Sequence, residues 1–174
     1  MVCSKTQGWR TMRHSGVCFG LRRGLKQVPG ISITPEPPVS QFATHKPGKS
    51  TEMRADLAVI DCGGATTRLL DATVTHTEYA ARRRGPGPLA VTQAEHDKIN
   101  KYNSCFDLAP GLLVPFAFET SGALGPMGMD YLCAMRELAR ERERPLTLFR
   151  MLVHASVAVQ RGNGRIIAHY FASG

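Results

Sequence analysis

Two aspartates and two lysines carry the chemistry that this sequence offers. Asp56 and Asp71 stand 15 positions apart, on either side of Cys62-Gly63-Gly64-Ala65, whose glycines suit a hairpin turn between the strand-like runs 56–61 and 68–76. Period-two alternation puts Leu70, Ala72 and Val74 on one face of the second run and Asp71, Thr73 and Thr75 on the other, so Asp71 is expected to point away from the apolar face. Asp56 opens the partner run, and a hairpin would bring Asp71 back to the same end. Two carboxylates so placed could share a hard divalent ion, which such side chains hold together with water and which stabilises charge on a phosphodiester. Two unconnected surface aspartates at strand ends satisfy the same spacing. Lys98 falls on the apolar stripe of the next helical segment, four residues after Ala94 and four before Tyr102, with Lys101 flanking the same face. A lysine there either snorkels to solvent or brings its ammonium to the acids.

These side chains need elements to hold them. Trp9, Met12, Val17 or Cys18, Leu21 and Leu25 recur at three- to five-residue steps and predict a helix ending near Pro29-Gly30, decorated by Arg13, Arg22, Arg23 and Lys26. Ile31 to Thr34 alternates like a short strand, Pro35, Pro37 and Pro38 stop it, and residues 40–52 have the composition of a mobile loop. Beyond the hairpin, Arg82-Arg83-Arg84 and a Gly-Pro-Gly-Pro run form a basic loop, and residues 89–106 carry helical spacing at Val91, Ala94, Ile99, Tyr102 and Phe106. A buried strand over 112–120 and helices over 127–142 and 145–160 follow, with a short basic end piece. The order predicts an α/β fold: the first helix on a small mixed sheet built around the hairpin and the Leu112 strand, with flanking carboxyl-terminal helices.

Charge is concentrated at one end. Of a formal net charge of +8, residues 1–54 contribute nine Lys or Arg against two acids, Glu36 and Glu52, a surplus of seven. Such a block attracts polyanions, so nucleic acid is the first partner to consider. The first 35 residues contain no acid but several Arg and Ser, a composition shared with mitochondrial transit peptides. No apolar run is long enough for a membrane span and no secretory leader is seen, which predicts a soluble intracellular protein of one domain. Five cysteines without CxxC spacing (Cys3, Cys18, Cys62, Cys105, Cys133) read as mostly buried thiols. His14 and Cys18 could be half of a zinc knuckle, but with only Cys3 upstream a fourth ligand is missing.

In order along the chain, Arg54-Ala55-Asp56, Asp71-Ala72-Thr73-Val74 and Lys98-Ile99-Asn100-Lys101-Tyr102 resemble the PD-(D/E)XK pattern of restriction-like endonucleases. More narrowly, they resemble the restriction-like endonuclease domain at the carboxyl-terminal end of LINE-type (non-LTR) retrotransposon reverse transcriptases, where the lysine has moved onto the following helix. Arg13-His14, Thr34-Pro35-Glu36-Pro37, Val114 to Thr120 and Gly125-Pro126 add to the likeness, which covers residues 10–170 and leaves 1–9 as an amino-terminal remnant. Ala55 replaces the family's usual Pro and Thr73 stands where the orthodox pattern has Lys, so Lys98 or Lys101 must substitute; no Tyr/Phe-x-Asp-Asp polymerase motif occurs.

The resemblance implies a restriction-endonuclease-like fold and a metal-dependent endonuclease that nicks target DNA in the nucleus, so that the freed 3′ hydroxyl primes reverse transcription. It implies Mg2+ or Mn2+ on Asp56 and Asp71, Lys98 acting on the attacking water or the phosphorane, and Lys101 on phosphate. His14, Glu36 and Glu119 would be accessory groups; an acid such as Glu119 at the end of an apolar strand is either satisfied by a donor or aimed at the site. Arg13, Arg22, Arg23, Lys26, Arg82, Arg83 and Arg84 would contact DNA, with the element's RNA as a second partner. The alternatives are a catalytically inactive fragment acting as a basic nucleic-acid-binding module, and an imported mitochondrial protein.

Overall fold

A computed structural model of the chain describes residues 7–49, 52–61, 66–76, 90–141 and 147–172. The hairpin turn at 62–65, the arginine run at 82–84 and Cys3 lie outside the described residues. In chain order the elements are α1 (Gln7–Leu25), β1 (Ile31–Pro35), a 3-10 turn at Val39–Gln41, β2 (Thr44–His45), β3 (Leu57–Asp61), β4 (Thr66–Thr75), α2 (Ala90–Asn103), β5 (Phe106–Asp107), β6 (Leu113–Glu119), α3 (Pro126–Glu141) and α4 (Thr147–Ala172).

Four strands form one mixed sheet in the order β1-β3-β4-β6, in which β1, β3 and β4 are antiparallel neighbours and β6 runs parallel to β4. The expected α/β class, with a small mixed sheet and flanking helices, is the one the chain adopts. The parallel β4–β6 pair needs a crossover, and α2 lies within it. Pro115 is accommodated because β6 is an edge strand.

Both faces of the sheet are covered. On one, Leu57, Val59, Leu70, Ala72, Val114, Phe116 and Phe118 meet Val17, Leu21 and Leu25 of α1, Tyr131 and Leu132 of α3, and Ala155 and Val159 of α4. On the other, Ala58, Leu69 and Leu113 pack with Tyr102 of α2, Phe106 and Val39. Alternation along β4 therefore separates two apolar faces, and Asp71, expected to look out from the sheet, is only 5% exposed. No helix among the described residues is long and apolar enough to cross a membrane.

Helix α1 presents Val17, Leu21 and Leu25 at four-residue steps to the sheet and leans closely on α4 through glycine. A Cβ at Gly20 would lie 3.0 Å from the Ala155 backbone nitrogen, and one at Gly16 would lie 3.2 Å from the Ala158 Cβ. Helix α4, expected to end at Gln160, continues to Ala172. Gly162, two residues past that expected end, is where α4 passes the Arg13 side chain so closely that a Cβ would collide with it. Next to it, Asn163 donates to the Thr120 carbonyl at 2.6 Å and accepts from the Arg13 guanidinium at 2.6 Å, tying α1, α4 and the end of β6 together.

The segment expected to be a mobile loop is also built in. Val39 N–H donates to Met53 O at 2.9 Å, and β2 pairs antiparallel with β5. Two-residue strands have no alternation to read, which is why this small sheet is invisible in sequence. Of the cysteines expected to be buried, Cys18 and Cys105 are half-buried and Cys133 is exposed on α3.

Candidate functional site

The β3–β4 register pairs Leu57 with Leu70, which places Asp56, immediately before β3, beside Asp71 at the open end of the hairpin. The Asp56 backbone N–H donates to Leu70 O at 3.0 Å, and its Oδ2 accepts from the Ala72 N–H at 2.6 Å. The carboxylate is thus fixed by the neighbouring strand's backbone. From the α1 side, His14 Nε2 lies 3.2 Å from the same Oδ2 and 3.2 Å from the Ala72 carbonyl oxygen. From the α2 side, Lys98 Nζ donates to Asp71 Oδ2 at 2.7 Å. The lysine on an apolar stripe therefore ends on a carboxylate rather than snorkelling to bulk solvent.

Two helices on opposite faces of the sheet thus hold two adjacent acids, and their electrostatics differ. Burial pushes the Asp71 carboxyl up; Lys98 opposes this, the Asp56 charge adds to it, and the net displacement is upward. Burial also pushes Asp56 up, but the hydrogen bond and charge of His14 and the Ala72 N–H together outweigh it, leaving Asp56 below the usual carboxylate range. His14 is pushed up to about 10, chiefly by its hydrogen bond to Asp56. The imidazole is therefore cationic at neutral pH, and each acid has a basic side chain against it, His14 on Asp56 and Lys98 on Asp71.

Tyr102, one helical turn beyond Lys98, donates its hydroxyl to Arg54 O at 2.9 Å, and burial pushes that hydroxyl up. It closes the inner wall of the site by joining α2 to the segment that leads into Asp56.

The other residues singled out by sequence are dispersed. Glu119 is beside Thr75 in the β4–β6 register, whereas Pro115 is beside Asp71, so the strand itself holds Glu119 away from the acid pair; its carboxylate accepts from Ser121 Oγ at 3.1 Å. Glu36 is exposed in a left-handed turn (φ 46°); its backbone N–H donates to Asp56 O at 2.9 Å, so it supports the strand leading to the site through its main chain. Lys101 is exposed at the end of α2. Arg23 and Lys26 are exposed at the end of α1 and Arg22 is half-buried, while Arg13 is turned into the α1–α4 contact through Asn163 in place of facing solvent.

One buried charged residue of the helix that carries Lys98 gave no motif. Glu95 is fully buried on α2, where its carboxylate accepts from the Gly128 N–H at 3.1 Å and the Met127 N–H at 3.3 Å. It caps α3, whose first turn has free amide groups. A Cβ on Gly125 would collide with that carboxylate, which accounts for Gly125-Pro126 at the helix start. The legible signal was an acid four residues from both Val91 and Ile99, on the stripe that α2 buries.

Which groups could hold an ion follows from these contacts. Asp56 and Asp71 each have one oxygen, Oδ2, engaged, and the upward push of one carboxylate on the other is what a shared dication would relieve. The donor set fits a hard cation completed by water. A second set adjoins it: ligating atoms of His14, Cys18 and Asp56 all lie within 4.8 Å of one another. Compared with protein-family models and with curated proteins, the chain finds a match in neither.

Proposed function

We propose that this chain is a metal-dependent DNA endonuclease domain of the restriction-like kind found in LINE-type retrotransposon reverse transcriptases, nicking target DNA to prime reverse transcription. The observation that carries the reading is the convergence of Asp56, Asp71 and Lys98 from three consecutive elements onto one end of the β3–β4 hairpin. Asp56 and Asp71 would hold Mg2+ or Mn2+, which supplies activation of water and neutralisation of charge on the phosphodiester. Lys98, on the second acid, is positioned by α2 to orient water or to steady negative charge on the reacting phosphate. Lys101, exposed one turn away, would contact a flanking phosphate. The basic end of α1, with Arg22, Arg23 and Lys26, supplies sequence-independent backbone contacts to DNA.

A nuclear location suits that activity. Against a cleavable mitochondrial leader stands the place of α1: Val17, Leu21 and Leu25 belong to the core, and His14 to the site. A second reading is favoured by one observation. The acids are internally neutralised by Lys98 and a cationic His14, as in a cluster whose role is structural, so an inactive nucleic-acid-binding fragment is the runner-up. Phosphate contacts need no divalent ion whereas cleavage does. Nicking of supercoiled plasmid that requires Mg2+ or Mn2+ and disappears with Lys98→Ala supports the endonuclease; DNA binding that is indifferent to divalent ions, without any nicking, supports the fragment.

A further inference from the structure

We infer that His14, Cys18 and Asp56 form a transition-metal site of the zinc type, distinct in ligand chemistry from the two-aspartate site and sharing Asp56 with it. His14 and Cys18 are one helical turn apart on α1, so their side chains leave the same face. The docking of α1 on the sheet brings that face to Asp56. Cys18 Sγ is 3.8 Å from each His14 ring nitrogen, and His14 Nε2 is 3.2 Å from Asp56 Oδ2.

The distances decide whether an ion fits. A tetrahedral zinc with bonds of about 2.3 Å to sulfur and about 2.05 Å to nitrogen or oxygen separates its ligand atoms by about 3.3–3.6 Å. The separations of 3.2 Å from His14 Nε2 to Asp56 Oδ2 and 3.8 Å from Nε2 to Cys18 Sγ bracket that geometry, and with the ligand atoms of all three residues within 4.8 Å of one another the remaining edge closes with a movement of about 1.5 Å at most. Three protein ligands leave the fourth position to water, and thiolate, carboxylate and neutral imidazole together offset the charge of a divalent ion. Thiolate and imidazole select zinc or its analogues over magnesium. The ligand that the sequence could not find beside His14 and Cys18 thus comes from the start of a strand 38 positions after Cys18.

Because Asp56 serves both sets, zinc at this site withdraws it from the Mg2+ or Mn2+ pair; that inhibitory consequence, unlike the binding itself, rests on the endonuclease reading. The test is titration of the full chain with Co2+, followed by displacement with Zn2+, in the presence of excess Mg2+. One equivalent should give the intense visible bands of a four-coordinate site and a thiolate-to-cobalt charge-transfer band, both removed by Zn2+. Cys18→Ala and Cys18→Ser should each abolish the charge-transfer band and weaken Zn2+ binding by at least about 100-fold, beyond the loss typical of an outer contact. Cys133→Ser, which removes the exposed thiol, and Asp71→Asn should keep the spectrum. A charge-transfer band that survives Cys18→Ala, or no band at one equivalent, overturns the site. A wild type that shows the expected spectrum, yet cuts no DNA in Mg2+ or Mn2+ once Co2+ and Zn2+ are removed, leaves the zinc site standing and sinks the endonuclease.

Discussion

Asp56 and Asp71 are neighbours across one hairpin, yet the molecule holds them in opposite ways. Asp56 is fixed by a backbone N–H and by His14 on α1 and is depressed; Asp71 is buried against α2, paired with Lys98, and raised. Environments that drive two adjacent acids apart give the same carboxyl group different proton affinities. The lesson is that a sheet end clasped by a helix on each face can give two identical side chains different chemistry. Both helices reach it because both faces of β4 are buried.

The largest expected effect comes from breaking the α2 side. Lys98→Ala should lower metal-dependent nicking by about 100-fold or more, the scale of losing a positioned charge in a reaction site, while plasmid binding measured without divalent ions stays near wild type. Stability should then separate the two acids. Asp56→Asn should cost about 2 kcal/mol in urea unfolding, because it removes the charge that the Ala72 N–H and His14 stabilise. Asp71→Asn should leave the midpoint unchanged or raise it, because the folded state disfavours that charge. The sign follows from linkage: a depressed acid adds stability above its ordinary value and loses it as pH falls through the folded one, whereas a raised acid carries a penalty that grows as pH climbs above its ordinary value.

The α1 side also has a pH signature. His14 contributes stability that is full below about 6.5 and is lost as pH rises through about 10, so the melting temperature should decline across that window. His14→Gln should flatten the decline; a profile unchanged by the substitution would place the His14 proton elsewhere. Smallest of all, Lys101→Ala should cost only a few-fold in nicking, since an exposed phosphate contact is worth about 1 kcal/mol or less.

Much of this arrangement was legible in the residues. Alternation along 68–76 and the glycines after Cys62 predicted the hairpin, and the apolar stripe left Lys98 either to snorkel to solvent or to reach the acids, of which the structure shows the second. What alternation could not say is that Asp71's face is also buried, because that depends on α2 closing over it. Glu95 escaped notice because its partners are backbone N–H groups more than thirty residues away, which leave no trace in side-chain type. The meeting of His14, Cys18 and Asp56 needed the docking of α1, set by Gly16 and Gly20 against α4. Glu119 looked eligible as an acid at the end of an apolar strand, and the parallel register with β4 is what separates it from the acid pair.

Nicking of supercoiled DNA by wild type and Asp71→Asn, side by side at one ionic strength with Mg2+ or Mn2+, tests the central claim most directly. The account predicts that wild type nicks, that chelation stops it, and that Asp71→Asn loses about 100-fold or more in rate while melting at or above the wild-type temperature. A wild type that cuts no DNA, or an Asp71→Asn protein that nicks as fast as wild type, would contradict it.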